Sequence, residues 1–398
     1  MTEPSQTSTQ AAQKKAPPKP AQKKKKPFFM KQRNMLRVIW CLLAVMLSAI
    51  YFFGWRVLLV CAVAVAVGVL VEYITTKQRG RPVSMAVFVT TLLFALSLPP
   101  TAPWLVVVVG TVVAILFGKE VFGGFGRNPV NPAILGRAFV YISFPGSMTN
   151  RFVPAFGPNL GDLGGSLPYD AGRWYGGFAQ WSFTSWAEGL VQRGGLAAEK
   201  MQDAISQASP LWVSREYGSE VTRGAVSWWE LALGPINGVF TTPDGEARIL
   251  SGGSMGEGCA VLIALCAIYL IWTRTANWRL TLSAFLGFAF ANLLWRRVFG
   301  FAAVGPLYVN LLGGTAVYVM VFMVTCPVTA PKQRAAQWAY AGLIGFFIVT
   351  LRWLGVFVAA ATFSILLGNL LAPLLDMGAT EYKKRQAARK TADAGGAS

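Results

Sequence analysis

Three short stretches of this 398-residue chain hold residue types able to do chemistry. The densest runs from Gly118 to Pro132: Gly118-Lys119-Glu120-Val121-Phe122-Gly123-Gly124-Phe125-Gly126-Arg127-Asn128-Pro129-Val130-Asn131-Pro132. Its glycines let backbone approach a planar ligand or a second helix closely. Asn128 and Asn131 offer amide donors and acceptors, which at membrane depth are costly unless satisfied. The two prolines open a helix and leave backbone groups free to bind. A tightly packed helix–turn–helix with no ligand fits the same spacing. The second stretch, Ser251 to Glu257, opens a later apolar run. A helix start presents free N–H groups and a positive dipole end; Glu257 suits a cap of that end, or a place in a cation path. The third, Asp203-Ala204-Ile205-Ser206-Gln207-Ala208-Ser209-Pro210, is by composition a Ser-rich turn, and its spacing alone predicts no chemistry.

Near-membrane carboxylates are few: Glu72, Glu120, Glu257 and Asp376. Each is a functional candidate by depth, or an interfacial anchor. The chain has no histidine, which excludes histidine-ligated haem, histidine zinc sites and a Ser-His-Asp triad within it. Cys41, Cys61, Cys259, Cys266 and Cys326 form no CxxC pair and lie in or beside apolar runs, as buried inert thiols do. No Gly-x-Gly-x-x-Gly stands between a strand and a helix, so no dinucleotide-binding fingerprint is present.

Hydrophobic types make up 54% and charged types 13%, so the elements that position these stretches are membrane spans. Apolar runs predict ten, at 36–54, 57–75, 84–98, 103–118, 130–145, 255–273, 280–296, 307–325, 337–352 and 354–373. Several are short and bounded by proline, as tilted or broken helices are. The net charge is +19, and Lys14, Lys15, Lys19, Lys23 to Lys26, Lys31, Arg33 and Arg37 oppose only Glu3 before or at the start of the first span. A basic tail there marks a cytoplasmic flank that touches anionic lipid rather than nucleic acid. With ten spans, that tail, Lys77 to Arg81, Arg274 to Arg279, Lys332 to Arg334 and Lys383 to Lys390 share one side; Arg296 and Arg297 are the mild conflict. The expected organisation is a disordered basic tail over 1–35, five helices over 36–145, a long extracytoplasmic loop over 146–254, five helices over 255–376 and a basic tail over 377–398. Both termini are cytoplasmic in this scheme, and the loop is expected to hold turns and short helices.

The chain reads Pro99-Pro100-Thr101-Ala102-Pro103 after the third span and Pro327-Val328-Thr329-Ala330-Pro331 after the eighth. The two copies fall on opposite sides, five spans apart. Two five-helix halves of inverted topology would produce this, with a ligand or ion path at their interface. The expected fold class is therefore all-α integral membrane.

The chain resembles the membrane flavoprotein family that contains NqrB, of the sodium-translocating NADH:quinone oxidoreductase, and RnfD, of the Rnf complex. The resemblance runs from about Phe28 to Asp376. It is carried by Lys119-Glu120-Val121-Phe122-Gly123-Gly124, Asn128 with Asn131-Pro132-Ala133, Gly256-Glu257, Phe322-Met323-Val324-Thr325-Cys326-Pro327-Val328, and Asn369 to Asp376. The Lys-Glu-Val-Phe-Gly-Gly wording is nearer NqrB, and Ser143-Phe144-Pro145-x-x-Met148-Thr149 nearer RnfD.

The resemblance implies FMN joined through its phosphate to a hydroxyl in a pattern like Asp-x-x-Ser-Gly-Ala-Thr, installed by a flavin transferase on the outer face. Asp203, Ser206, Ala208 and Ser209 match in register, with Ser209 as the acceptor; Gln207 replaces glycine and serine replaces threonine. It implies a non-covalent riboflavin near Asn128, Asn131 and Pro132 and a quinone region at Gly123 and Gly124; the carboxylates Glu120, Glu257 and Asp376, candidates by depth, are then the expected path for Na⁺ or H⁺. Cys326 stands where the family usually has aspartate. The implied function is an electron-relaying subunit of a bacterial inner-membrane NADH:quinone oxidoreductase. An RnfD-like subunit of a ferredoxin:NAD oxidoreductase, working with the other subunits of its complex, is the alternative. A non-redox channel or transporter fits ten helices in inverted halves equally well.

Overall fold

The computed structural model describes residues 28–149, 209–218, 221–222, 224, 226–234, 239–241, 247–249, 252–301, 304–355 and 359–395. Helices dominate: α1 (Arg33–Phe53), α2 (Arg56–Gln78), α3 (Ala86–Leu96), α4 (Trp104–Ile115), α5 (Pro132–Ser143) and α6 (Pro145–Thr149) come first. Short α7 (Pro210–Glu216) and α8 (Trp228–Leu233) lie in the long loop, before α9 (Ala260–Trp272), α10 (Trp278–Leu293), α11 (Leu307–Leu312), α12 (Ala316–Tyr318), α13 (Arg334–Trp353) and α14 (Ala360–Gly395). Strands are two short pairs, β1 (Phe29–Met30) parallel to β2 (Val83–Ser84), and β3 (Val239–Thr241) antiparallel to β4 (Ala247–Ile249).

Every predicted run contains helix among its described residues. Four helices, α1, α2, α13 and the first part of α14, are long and apolar enough to cross a membrane. Leu47, Leu105, Ile268 and Leu370 are each more than half exposed, so the bundle presents apolar surface outward as a lipid-facing protein does.

Three departures have local causes. The eighth run is broken: α11 ends at Gly313, α12 is one short turn, and a π-turn over Val319–Met323 follows. Widened turns also end α4 (Leu116–Glu120) and α10 (Leu294–Val298). The N-terminal tail is ordered before residue 35, because Phe28 O accepts from Val83 N at 3.0 Å and α1 begins at Arg33. The basic C-terminal tail continues the last helix: α14 runs through Pro373 to Gly395. Most of 146–254 lies outside the described residues. Within it Ser209 caps α7 with Pro210 at the first helical position, and a Ser227–Glu230 capping box starts α8.

Small residues let the helices touch backbone to backbone. A methyl group on Gly287 would sit 2.1 Å from Gly342 O, and one on Gly345 would sit 2.1 Å from Ala284 O. Helix association in lipid relies on such packing because burial against lipid supplies no hydrophobic drive. Gly345→Leu must therefore force α10 from α13, and we expect it to cost about 1–3 kcal/mol or more. Gly378→Ala, at a position open to space, should be near neutral. Thermal unfolding of the two variants in detergent, followed by size-exclusion recovery, checks this.

Candidate functional site

A buried ionic network fixes the segment around Lys119. Glu72 on α2 and Arg79 at its C-cap lie seven residues apart along one face. The π-turn at the end of α4 places Lys119 and Glu120 against that face. Lys119 Nζ donates to Glu72 Oε2 at 2.5 Å and to Ser84 Oγ at 2.7 Å. Ser84 in turn donates from N and Oγ to Glu72 Oε1, at 2.9 and 2.7 Å. Arg79 Nη1 donates to Glu120 Oε2 at 2.9 Å, and its Nη2 to Glu120 O at 2.6 Å. Lys119, Glu72 and Glu120 are each 1% exposed. The turn lies close against α5, since a Cβ on Gly118 would meet Pro132 Cα at 2.7 Å.

Lys119 lines a first cavity with Asn128, Asn131 and Pro132. Its apolar walls include Val38 of α1, Leu93 of α3 and Phe322 of the π-turn after α12. Thr325 and Cys326 also line it. Asn131 is first a helix cap: its Oδ1 accepts from Ala133 N at 3.1 Å, while its Nδ2 reaches Met323 O at 3.5 Å. Asn128 Nδ2 donates to Val130 O at 3.1 Å. Gly123 and Gly124 have φ of +103° and +92°, which favours glycine, and lie beside Arg127 and the Arg79–Glu120 pair.

A second cavity is lined by Ser209, Arg137, Arg215, Ser254, Glu257 and Arg352. Ser209 Oγ accepts from Trp212 N at 3.3 Å. Glu257 caps its own helix start, as the sequence suggests: Oε1 accepts from Ser254 N, and Oε2 is buried without a hydrogen-bond partner. Arg137 is 7% exposed, and its Nη2 reaches Ser254 Oγ only at 3.5 Å. Its Nε and Nη1 are buried with no hydrogen-bond partner. Arg352 Nη1 donates to Asn310 O at 2.7 Å.

The same helices connect the cavities. The start of α3 lines the first, and Leu98, just past its end, accepts from Met255 N beside the second. Along α5, Pro132 lines the first and Arg137 the second. The broken run is reversed: Gly313 to Thr315 line the second, and Phe322 onward the first. It crosses α3 where Tyr318 OH donates to Leu93 O at 3.3 Å.

The predicted residues therefore divide. Asn128, Asn131 and Pro132 share one cavity; Ser209 and Glu257 share the other. Glu120 belongs to the ionic network. Asp376 is apart from both: its carboxylate accepts from Lys332 N and Gln333 N at 2.8–3.0 Å and ties α14 to the loop before α13. Asp203, Ser206 and Ala208 lie outside the described residues. Sequence reasoning weighed carboxylates alone and missed Arg137 and Arg352, although a lone arginine inside an apolar run carries the same signal.

Removing one partner from the Lys119–Glu72 pair strands a buried charge. Lys119→Met or Glu72→Gln alone should each cost about 3–5 kcal/mol. The double variant should fall short of their sum by about 1–3 kcal/mol. Denaturant melts of the four proteins in detergent measure that coupling; strict additivity would deny it.

A profile of the NQR2, RnfD, RnfE family matches residues 25–384. The D subunit of the ion-translocating oxidoreductase complex of Actinobacillus succinogenes is 30% identical over 358 residues, covering 86% of this chain and 91% of that one. Its counterpart from Stutzerimonas stutzeri is 32% identical, covering 86% and 89%. The B subunit of the Na(+)-translocating NADH-quinone reductase of Pseudoalteromonas atlantica is 31% identical, covering 82% and 68%. Because the profile spans most of the chain, from before β1 into α14, the protein belongs to the NQR2, RnfD, RnfE family.

Proposed function

We propose that this chain is the flavin-bearing membrane subunit of an ion-translocating oxidoreductase complex, with FMN esterified to Ser209 and riboflavin in the first cavity. One observation carries the reading: the Ser209 hydroxyl lies on a cavity wall that also presents Arg137, Arg215 and Arg352. Three guanidiniums against the single carboxylate of Glu257 suit a phosphate ester. An ester oxygen still accepts from Trp212 N, so the cap of α7 survives attachment. A flavin bound at either site would supply one-electron transfer, and the protein supplies burial, orientation and charge. In the first cavity, the apolar walls and the cap residue Asn131 suit a ring system with polar edges.

The arrangement of the cavities supports two inverted halves. Spans one and three start at the first cavity, and the fourth ends there; spans six and eight start at the second, and the ninth ends there. In a ten-span protein with cytoplasmic termini, the first cavity then faces the cytoplasm and Ser209 the far side of the bacterial inner membrane, where a flavin transferase would reach it. Electrons enter from partner subunits at the outer cavity and leave at the inner one toward an acceptor, quinone in an NqrB-like complex, with Gly123 and Gly124 nearby. Na⁺ or H⁺ coupling falls to Glu120 and Glu257, each of which keeps one buried carboxylate oxygen without a hydrogen-bond partner. Relatives of similar identity are named for both complexes, and the Ser143-to-Thr149 wording favours the RnfD-like alternative. Subunits that co-purify with the chain separate the two.

The test is intact-mass analysis after co-expression with a flavin transferase. We expect one FMN adduct, mapped to the peptide carrying Ser209, and in-gel fluorescence that disappears in Ser209→Ala. A wild-type chain with no adduct would count against the ester.

A further inference from the structure

We propose that the widened turn ending α10, where Arg296 and Arg297 stand, binds an anionic phospholipid: the two guanidiniums hold the headgroup phosphate, and an acyl chain lies along the exposed face of the helix. The site is independent of where flavin binds. Only the topology proposed above, which puts this end at the outer leaflet, bears on it.

Arg296 and Arg297 run against the charge pattern of the chain, whose other basic turns share the opposite side. Their depth is set by α10. At its start the Arg279 guanidinium lies over the Trp278 ring, 5.3 Å from its centre, an aromatic and basic pairing that marks a membrane interface. Arg296 and Arg297 follow about 27–29 Å further along the helix. That is close to the thickness of the hydrocarbon core, so the pair sits at headgroup level.

The helix face between the two ends suits an acyl chain. Leu282, Leu286, Phe290 and Leu293 recur at helical spacing, all are exposed, and the stripe runs on to the exposed Arg297. Just beyond, Val298 and Phe299 are 72% and 57% exposed. The turn is braced from inside. Trp295 Nε1 donates to Thr350 Oγ1 at 3.0 Å, its ring centre lies 5.0 Å from that of Phe299, and its carbonyl accepts from Phe301 N at 3.0 Å. Arg296 Nη1 donates to Val304 O at 3.2 Å, which holds that guanidinium at the turn. No carboxylate pairs with either arginine among the described residues. Arginine grips phosphate oxygens as a fork, and a zwitterionic headgroup brings a cation of its own, so the pair favours an anionic one. An acidic protein face would meet the arginines but not the apolar stripe beneath them, which lies at acyl depth.

The experiment irradiates the full-length chain in maltoside micelles with a phosphatidylglycerol that carries a diazirine on one acyl chain, and maps the adducts by peptide mass. We expect an adduct on the segment from Leu286 to Phe299, with unlabelled phosphatidylglycerol competing at least about tenfold better than phosphatidylcholine. Arg296→Gln combined with Arg297→Gln should raise the lipid concentration needed for half-maximal labelling there by about thirtyfold, and leave adducts elsewhere in the chain unchanged. Arg297→Gln alone, at an exposed position, should raise it about fivefold, and is read instead if the double variant does not elute as a single species. Equal competition by the two lipids, or labelling of the arginine variants at the parent's concentration, overturns the proposal. So does displacement of the adduct by millimolar inorganic phosphate, which would assign the arginines to a free anion. A last arm introduces Arg297→Cys and labels it with a water-soluble maleimide in membranes. We expect the same labelling with the chain alone and with the subunits that co-purify with it; loss of labelling only in their presence makes this turn a subunit interface and overturns the lipid site.

Discussion

A charge placed inside a low-dielectric helical bundle must be completed by an opposite charge or a set of hydrogen bonds. The two ends of this bundle answer that constraint differently. Near the first cavity Lys119 is closed off: Glu72 and Ser84 accept its hydrogen bonds, and the β1–β2 pair and α2 hold both in place. Near the second, Arg137 is left open, with two nitrogens lacking hydrogen-bond partners beside a cavity. The closed network belongs to architecture. It pins the π-turn against α5 and so shapes the wall of the first cavity. The guanidinium at the second cavity is only partly completed within the described protein, by Ser254 Oγ at 3.5 Å and by the charge of Glu257.

The broken eighth run follows from the same constraint. An unbroken helix there would satisfy its own backbone and offer nothing to either cavity. Breaking it at Gly313 to Thr315 and widening it at Val319–Met323 leaves irregular backbone at both ends of a buried segment. Such backbone is tolerated at membrane depth only where protein or a cavity meets it. Here Met323 O accepts from Asn131 and Cys326 N, and Tyr318 ties the middle of the run to α3. The reversed run between α3 and α5 thus reaches both cavities with different residues of one segment.

Much of this was legible in the sequence. Apolar runs located the helices because lipid demands length and composition, and those are local properties. Asn131-Pro132 announced a helix start, and Ser254 with Glu257 a capping box, because caps act over three residues. The pairing of Lys119 with Glu72 was not legible. It joins residues 47 positions apart through a π-turn that no short-range pattern encodes. Strand β1 was missed because two residues paired across the chain leave no alternation to read. Arg137 and Arg352 were visible as letters, but only the fold shows that both open onto the cavity of Ser209.

Cys326 gives the comparison its sharpest consequence. The resemblance leads one to expect aspartate there, on the wall of the first cavity. With a thiol in its place, the carboxylates nearest that cavity are Glu72 and Glu120, and both already face cations, Lys119 and Arg79. Glu72 has both oxygens engaged, whereas Glu120 keeps one buried oxygen without a hydrogen-bond partner. A cation arriving at this end would meet its strongest attraction at Glu120, and would compete with Arg79, which is about one-third exposed and so the more readily displaced of the two partners. Under the ion coupling proposed above, the Arg79–Glu120 pair takes the place of a dedicated acid, because no carboxylate lines this cavity among the described residues.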